Sequence, residues 1–374
     1  MGKIIVMATP VFLAFIALEM WLGKSRAGYY SLADTINSIS LGMLNQISGA
    51  LGKLLTLGIY VLVYEQLALL QAPDFWNTWY GYLAALVFYD FCYYWLHRCG
   101  HEVAVLWAAH VVHHQSQHYN LSTALRQTSS GIALGWIFYL PMALSGVPPT
   151  VFAIVALVDL LYQFWVHTEL VGKLGWFDRV FCSPSNHRVH HAVNDRYIDR
   201  NYGGILVLWD RMFGSFQEET EPCVYGTRSP LNSCDPLWAN AEVYGGLWQA
   251  SKRAEHWGDK LRVWIKPPGW QSAAMASADP KAPFVLSSVK RFELPLSDAQ
   301  QRFAFAQFLL SLCLASAYLW HVEGMAWQAA WGFACGLAAI VWLQGRYLHS
   351  KASAGVVVSA GLALMAAAML WRLA

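Results

Sequence analysis

Charge is scarce in this 374-residue chain: 13% of its residues are Asp, Glu, Lys or Arg, against 56% hydrophobic. That scarcity excludes a soluble protein with a solvated surface, and apolar runs of about 17 to 25 residues read instead as membrane helices. An excess of basic charge is missing too. The net charge is +2, and no basic run gathers into a nucleic-acid arm, so no nucleic acid is expected as a partner. The seven cysteines (92, 99, 182, 223, 234, 313, 335) make no CxxC and no regular spacing. Neither a disulfide framework nor a thiolate metal site is indicated, which leaves most of them as small buried hydrophobes. A flavin or nicotinamide fingerprint, a haem-binding domain and an internal repeat are all absent, so electrons for any redox chemistry must come from a separate donor.

What is present is a series of apolar runs. The first, Ile4 to Leu22, lacks a small-residue cleavage site and reads as a retained span rather than a signal peptide. Further runs cover Leu51 to Leu70, Tyr80 to Leu96, Ile132 to Leu144 and Val151 to Val166. Gly146-Val147-Pro148-Pro149 makes a hairpin of the last two. After a hydrophilic section, Phe303 to Trp320, Met325 to Leu343 and Ala354 to Trp371 finish the chain. The expected fold is an all-α integral membrane protein of about eight transmembrane helices. Its units are residues 1–78 (N-terminal spans), 79–266 (a catalytic domain with a cytoplasmic cap), 267–301 (a Pro/Ala/Ser-rich linker) and 302–374 (C-terminal spans). Lys24, Arg26, Lys53, Arg98, Arg126, the basic residues from Lys173 to Arg302, Arg346 and Lys351 fall on one side, and Lys3 and Arg372 on the other. The positive-inside rule then puts both termini outside and the 97–191 region on the cytoplasmic face. The membrane is the cell membrane in a bacterium and of the endoplasmic-reticulum type in a eukaryote.

Ten of the thirteen histidines lie between residues 97 and 191. His97 and His101 are spaced i, i+4; His110, His113 and His114 are spaced i, i+3, i+4, and His187, His190 and His191 repeat that pattern. On a helix each group shares one face, as in the zinc-binding HExxH helix, and eight rings are enough for two metal ions. Imidazole suits iron, zinc, copper and nickel alike, so the metal is left open. His256, His321 and His349 are isolated and read as structural. His167 is a candidate ninth ligand, while His118 reads as a solvated turn residue. Asp90, Tyr94, His97 and His101 form one stripe, and Asp159, Gln163 and His167 another. A carboxylate in a span marks an interior, so Asp90 and Asp159, with Gln163 and Asn186, are expected as outer partners of the ligating rings. Glu102 and Glu169, beside His101 and His167, are candidates to bridge metals or carry protons. Asn120 and Arg126 are placed at the headgroup level of a lipid, where Arg126 could pair with an acidic partner or a lipid phosphate. The segment Asn201 to Phe216 reads as a glycine turn and an aromatic helix covering the site.

The motifs HRCGH, HVVHH and HRVHH on a multi-span chain resemble the fatty acid hydroxylase and sterol desaturase superfamily of membrane di-iron enzymes. The segments WAAHVVHHQSQHYNLSTALRQ, LLYQFWVHTE, SPSNHRVHHAVNDRYIDRNYGGILVLWDRMFGSF and VYGTRSPLN are similar to its ether-lipid-cleaving branch, which uses tetrahydrobiopterin. The similarity runs from about Tyr82 to Trp270. It implies two iron ions held by His97, His101, His110, His113, His114, His187, His190 and His191, and it gives Glu102 a catalytic role. It also implies an O2-dependent hydroxylation next to an ether oxygen, releasing a fatty aldehyde and glycerol, with tetrahydrobiopterin or another external reductant. Rivals are a sterol, fatty acid or carotenoid hydroxylase or desaturase, which would share every histidine. A metal transporter is the other, disfavoured because its sites lie at mid-membrane whereas these clusters lie at one surface.

Overall fold

The computed structural model describes residues 2–70, 72–349 and 352–373, so Lys351 lies outside the described residues. Among them the chain is helical, with no sheet and two isolated bridges, Phe181 with Leu206 and Ala192 with Tyr225. The chain includes the helices α1 (Gly2–Leu22), α2 (Leu32–Leu51), α3 (Ile59–Leu67), α4 (Trp79–Glu102), α5 (Pro149–Trp165), α6 (Pro184–His191), α7 (Asp298–His321), α8 (Trp327–Leu348) and α9 (Ala352–Leu373), of which α1, α2, α4, α5, α6 and α7 frame the site. Two helices, Gly2–Leu22 and Asp298–Gly324, are by themselves long and apolar enough to cross a membrane, and a third crossing results if a bent pair counts as one.

The starts of these helices follow local chemistry. Thr78 accepts the Gly81 N–H ahead of α4, and a Ser297/Gln300 capping box opens α7. Pro149 stands in the first turn of α5, where its missing N–H costs nothing. The turn before it needs Gly146, which has φ +75 and lies so close to Leu70 that a Cβ would sit 1.8 Å from that carbonyl oxygen.

Two expected spans are built differently. The run Leu51 to Leu70 is not one helix. The more polar sequence before it already forms α2, capped by Ser31, and the chain then passes a π turn at Leu54–Gly58 and bends by 50° into α3. Gly49, Gly52 and Gly58 weaken the helix at this point. Ile132 to Leu144 breaks into the 3-10 turns Gly131–Ala133 and Gly135–Tyr139 and the short helix Leu140–Leu144. Gly131 just before it, with Gly135 and Pro141 inside it, denies it a continuous ladder of hydrogen bonds. Lys53 also departs from expectation: α2 carries it to the end of the bundle where Lys3 lies over Trp320, and there it pairs with Glu323 at 2.8 Å.

The apolar helix α1 is fixed by one carboxylate. Glu19, 4% exposed, accepts hydrogen bonds from the hydroxyls of Tyr29, Tyr30 and Thr168 and, at 2.8 Å, from the Leu121 N–H. Replacing Glu19 by Leu strands these four donors, and hydrogen bonds to a charged group are worth about 1.5–3 kcal/mol each. A loss of about 3 kcal/mol or more is expected, read as a lower melting temperature in detergent, whereas an unchanged melt would mean that α1 is held by its apolar contacts alone.

Candidate metal centre

Three short pieces bring the histidines together. The C-terminal end of α4 supplies His97 and His101, the helix Val111–His114 and its preceding residue supply His110, His113 and His114, and α6 supplies His187, His190 and His191. The first turn after α5 adds His167. They fall into two groups. His97, His101, His110, His114 and His190 each present a ring nitrogen within 4.8 Å of the others, and so do His113, His167, His187 and His191. The groups adjoin, with the His114 and His191 rings stacked at 4.3 Å. All nine are the histidines singled out from the sequence.

The hydrogen bonds assign the tautomers. Nδ1 of His97 donates to the Tyr202 carbonyl at 2.8 Å, His113 to Arg126 at 2.8 Å, His167 to Gln163 at 2.8 Å and His190 to Arg200 at 3.0 Å. A carbonyl can only accept, so these four rings carry their proton on Nδ1 and direct a lone pair from Nε2. His113 and His167 then place two lone pairs 3.2 Å apart, and His187 brings a third Nε2 to 3.0 Å from His167. Lone pairs repel at that distance unless a cation lies among them. The Nε2 atoms of His97 and His101 are buried with no partner. The donor set therefore fits metal ions, of a kind that nitrogen ligands alone do not choose.

Burial keeps the rings neutral, which is the ligating form. It holds His110, His114, His187, His190 and His191 well below the ordinary imidazole range, and neighbouring rings add to the effect. His113 is lowered to about 4, chiefly by burial. Since the unfolded chain binds protons near pH 6.5 and the folded one does not, stability rises with pH across that window. Metal-free protein is expected to lose stability as pH falls from about 6.5 toward 4, by roughly 3 kcal/mol for His113 alone at about 1.36 kcal/mol per unit. Melts at stepped pH would show it, and a flat profile would count against neutral buried rings.

Several expected partners take other roles. Neither Asp90 nor Asp159 bonds a histidine ring among the described residues. Asp90 accepts from the Ile205 and Leu206 N–H groups and Trp209 Nε1, which fixes the loop whose Tyr202 and Arg200 carbonyls hold His97 and His190. Asp159 accepts from Gln163, whose amide also binds the Tyr93 hydroxyl. Gln163 reaches a ring through its backbone alone. Asn186 donates to the Asp178 and Phe181 carbonyls and braces the start of α6. Glu102 turns away from the histidines to pair with Arg98 at 2.9 Å on the surface, because its place at the end of α4 faces solvent. Arg126 and Asn120 are buried, at 2% and 0% exposure, and bond protein groups rather than standing at a surface. Asn120 caps the helix Leu121–Ala124 and donates to the Tyr29 carbonyl. His118 is buried rather than solvated, its Nδ1 near the Gly28 carbonyl. Glu169 is half-buried, its N–H on the Tyr29 hydroxyl.

The sequence reading missed Glu19, although a lone carboxylate in an apolar run is a readable signal. It also missed Arg188 within HRVHH, which grips Glu219 with two bonds of 2.8 and 2.7 Å and donates to the Thr168 and Val171 carbonyls.

Beside the histidines lies a cavity of about 380 Å³. Its walls are stripes from five helices: Ile5 to Leu13 of α1, Ile39 to Gln46 of α2, Tyr89 to Gly100 of α4, Ala156 to Phe164 of α5 and Leu312 to Leu319 of α7. It is mainly apolar and ends on His97, His110, His113 and His167. Both its size and its lining are those of a small-molecule site.

Three comparisons bear on this arrangement. The fatty acid hydroxylase family model matches residues 82–215. An alkylglycerol monooxygenase of Danio rerio is 38% identical over 85% of this chain and 71% of its own length. Those of Homo sapiens (39%, over 70% of this chain and 59% of its own length) and Xenopus tropicalis (35%, over 82% and 69%) are similar. No solved structure matches. The matched segment holds all nine histidines. This chain thus belongs to the fatty acid hydroxylase family, among relatives of the alkylglycerol monooxygenases, and is an oxygen-dependent monooxygenase.

Proposed function

We propose that this protein cleaves alkylglycerol-type ether lipids by hydroxylating the carbon next to the ether oxygen, which releases a fatty aldehyde and glycerol. The observation that carries the reading is the apolar cavity ending on four of the nine histidines. An alkyl tail lying among the five helices brings one end of its chain to the rings, and the apolar walls keep water from the reacting carbon. The named activity of the relatives supports the same substrate.

In this reading His97, His101, His110, His114 and His190 hold one iron ion, and His113, His167, His187 and His191 a second. Bound iron would supply the activation of O2. The chain contributes neutral rings locked by backbone carbonyls, and it leaves the electrons to an external donor, tetrahydrobiopterin or another reductant. Asp90 acts as a positioning residue through the loop it holds. Residues 79–266 form the catalytic unit, with 267–301 as a linker to the C-terminal helices. The same reading takes the chain across the bilayer eight times, counting Leu32–Leu51 with Leu55–Leu67 as one bent crossing and the broken segment ending at Gly135–Leu144 as another. The histidines then lie on the cytoplasmic face and both termini opposite. The distribution of Lys and Arg supports this, although Lys53 falls on the far side.

The test is lipid profiling of membranes that express the protein or its His113→Ala variant, with and without a reduced pterin. Loss of alkylglycerols and gain of fatty aldehyde is expected in the first alone, and more strongly with pterin. Untouched alkylglycerols, with oxygen appearing in a sterol or another lipid, would remove the ether-lipid reading and leave the family.

A further inference from the structure

Three walls of the cavity, from α1, α2 and α7, come from helices outside the segment that the family model matches, and two of these lie toward the ends of the chain. Ile5, Val6, Thr9, Phe12 and Leu13 of α1 fall at i, i+1, i+4, i+7, i+8, and Leu312, Ala315, Ser316 and Leu319 of α7 at i, i+3, i+4, i+7. Each set is one helical face. The two helices meet where Gly2 lies against the Leu319 carbonyl, with a built Cβ 2.9 Å from its oxygen, and where Lys3 lies over the Trp320 ring.

The other end of α1 is tied to the metal centre, since Glu19 bonds Thr168, the neighbour of His167. At 1.5 Å per residue, Ile5 is about 21 Å along the helix axis from Glu19. The cavity is lined at once by the histidines and by Ile5 and Leu319 beside the Gly2–Leu319 contact, and its lining face on α1, Ile5 to Leu13, is about 12 Å long. An alkyl tail fits along such a face.

We propose that Ile5 and Val6 of α1, with Ser316 and Leu319 of α7, form the far end of the substrate site and set the longest chain that can place its first carbon at the histidines. This rests on the reading of the cavity as the tail site. The side chains at this end are modest in size, and Ser316 is half-buried, so a larger residue there projects into space that a tail would occupy. A tail too long by one methylene leaves it outside the apolar walls, at a cost of about fourfold in binding. The N-terminal and C-terminal helices thereby gain a role in selecting substrate, separate from the chemistry.

The experiment uses the full-length protein in detergent with a series of alkylglycerols of increasing chain length. Ser316→Phe fills the far end, and Ile5→Ala enlarges it. With Ser316→Phe the ratio of long-chain to short-chain kcat/KM is expected to fall about tenfold or more, and with Ile5→Ala to rise. In parallel, mass spectrometry of the lipids retained by each purified variant reads the tail length without turnover, and shorter tails are expected for Ser316→Phe. An equal loss at every length in the assay, with retained tails unchanged, overturns the proposal. If the parent protein cleaves no alkylglycerol but the retained tails still shorten, the ether-lipid reading fails and the assignment of the far end stands.

Discussion

His190→Ala is expected to lower lipid turnover by on the order of a thousandfold, about 4 kcal/mol of transition-state free energy, and to lower the bound iron with it. The His190 ring stands 4.3 Å from His97 and 4.7 Å from His101, and its Nε2 is 3.2 Å from that of His114. The Arg200 carbonyl fixes its tautomer. Partners one step outside a metal ligand are worth about 10–100-fold, and removal of the ring itself lies above that range. Iron per chain and turnover should fall together. A variant that kept its iron and stayed within tenfold of the parent would show that His190 is not a ligand.

The second large effect is expected at a buried residue that bonds protein groups. Arg126→Ala should destabilise the protein by about 3–5 kcal/mol, the range seen when a buried charged partner is removed. The guanidinium donates to the Val112 carbonyl at 2.8 Å and to Ser38 and Gln115 at 3.4 Å, with Asp34 at 3.9 Å. Its backbone carbonyl holds His113. Arg126 thus binds α2 to the histidine segment, and losing it leaves buried acceptors without donors. Arg126→Lys keeps the charge but not the planar fork, and should recover part of the loss. The melting temperature in detergent decides the matter: a headgroup contact would leave the melt unchanged and raise KM, which is the outcome that would favour a lipid phosphate over Asp34 as its partner.

These two residues mark how far the sequence could be read. His190 was legible because its ligating geometry is local. The i, i+3, i+4 spacing puts rings on one helical face whatever the rest of the chain does. Burial was legible in outline, since Trp, Leu and Val flank the clusters. Arg126 was read as pairing with an acidic partner or a lipid phosphate; the structure puts Asp34 at 3.9 Å from it in the interior, and nothing local reports that α2 lies over this polar segment. The carboxylates failed for a related reason. Asp90 and Asp159 were correctly placed in the interior, but the acceptors for the ring protons are backbone carbonyls of residues 126, 163, 200 and 202. Every residue has a carbonyl, so such partners leave no trace in side-chain identity.

By itself, then, the sequence determined that the chain is a helical membrane protein, and it singled out eight clustered histidines with His167 as a candidate ninth, because hydropathy and helical spacing are properties of neighbouring residues. Only the tertiary structure decided that these rings divide into five and four, which carbonyl fixes each tautomer, and that Glu102 faces solvent. It also decided that helices from both ends of the chain wall the cavity. Each of these depends on contacts between segments far apart in sequence, and those are set by packing.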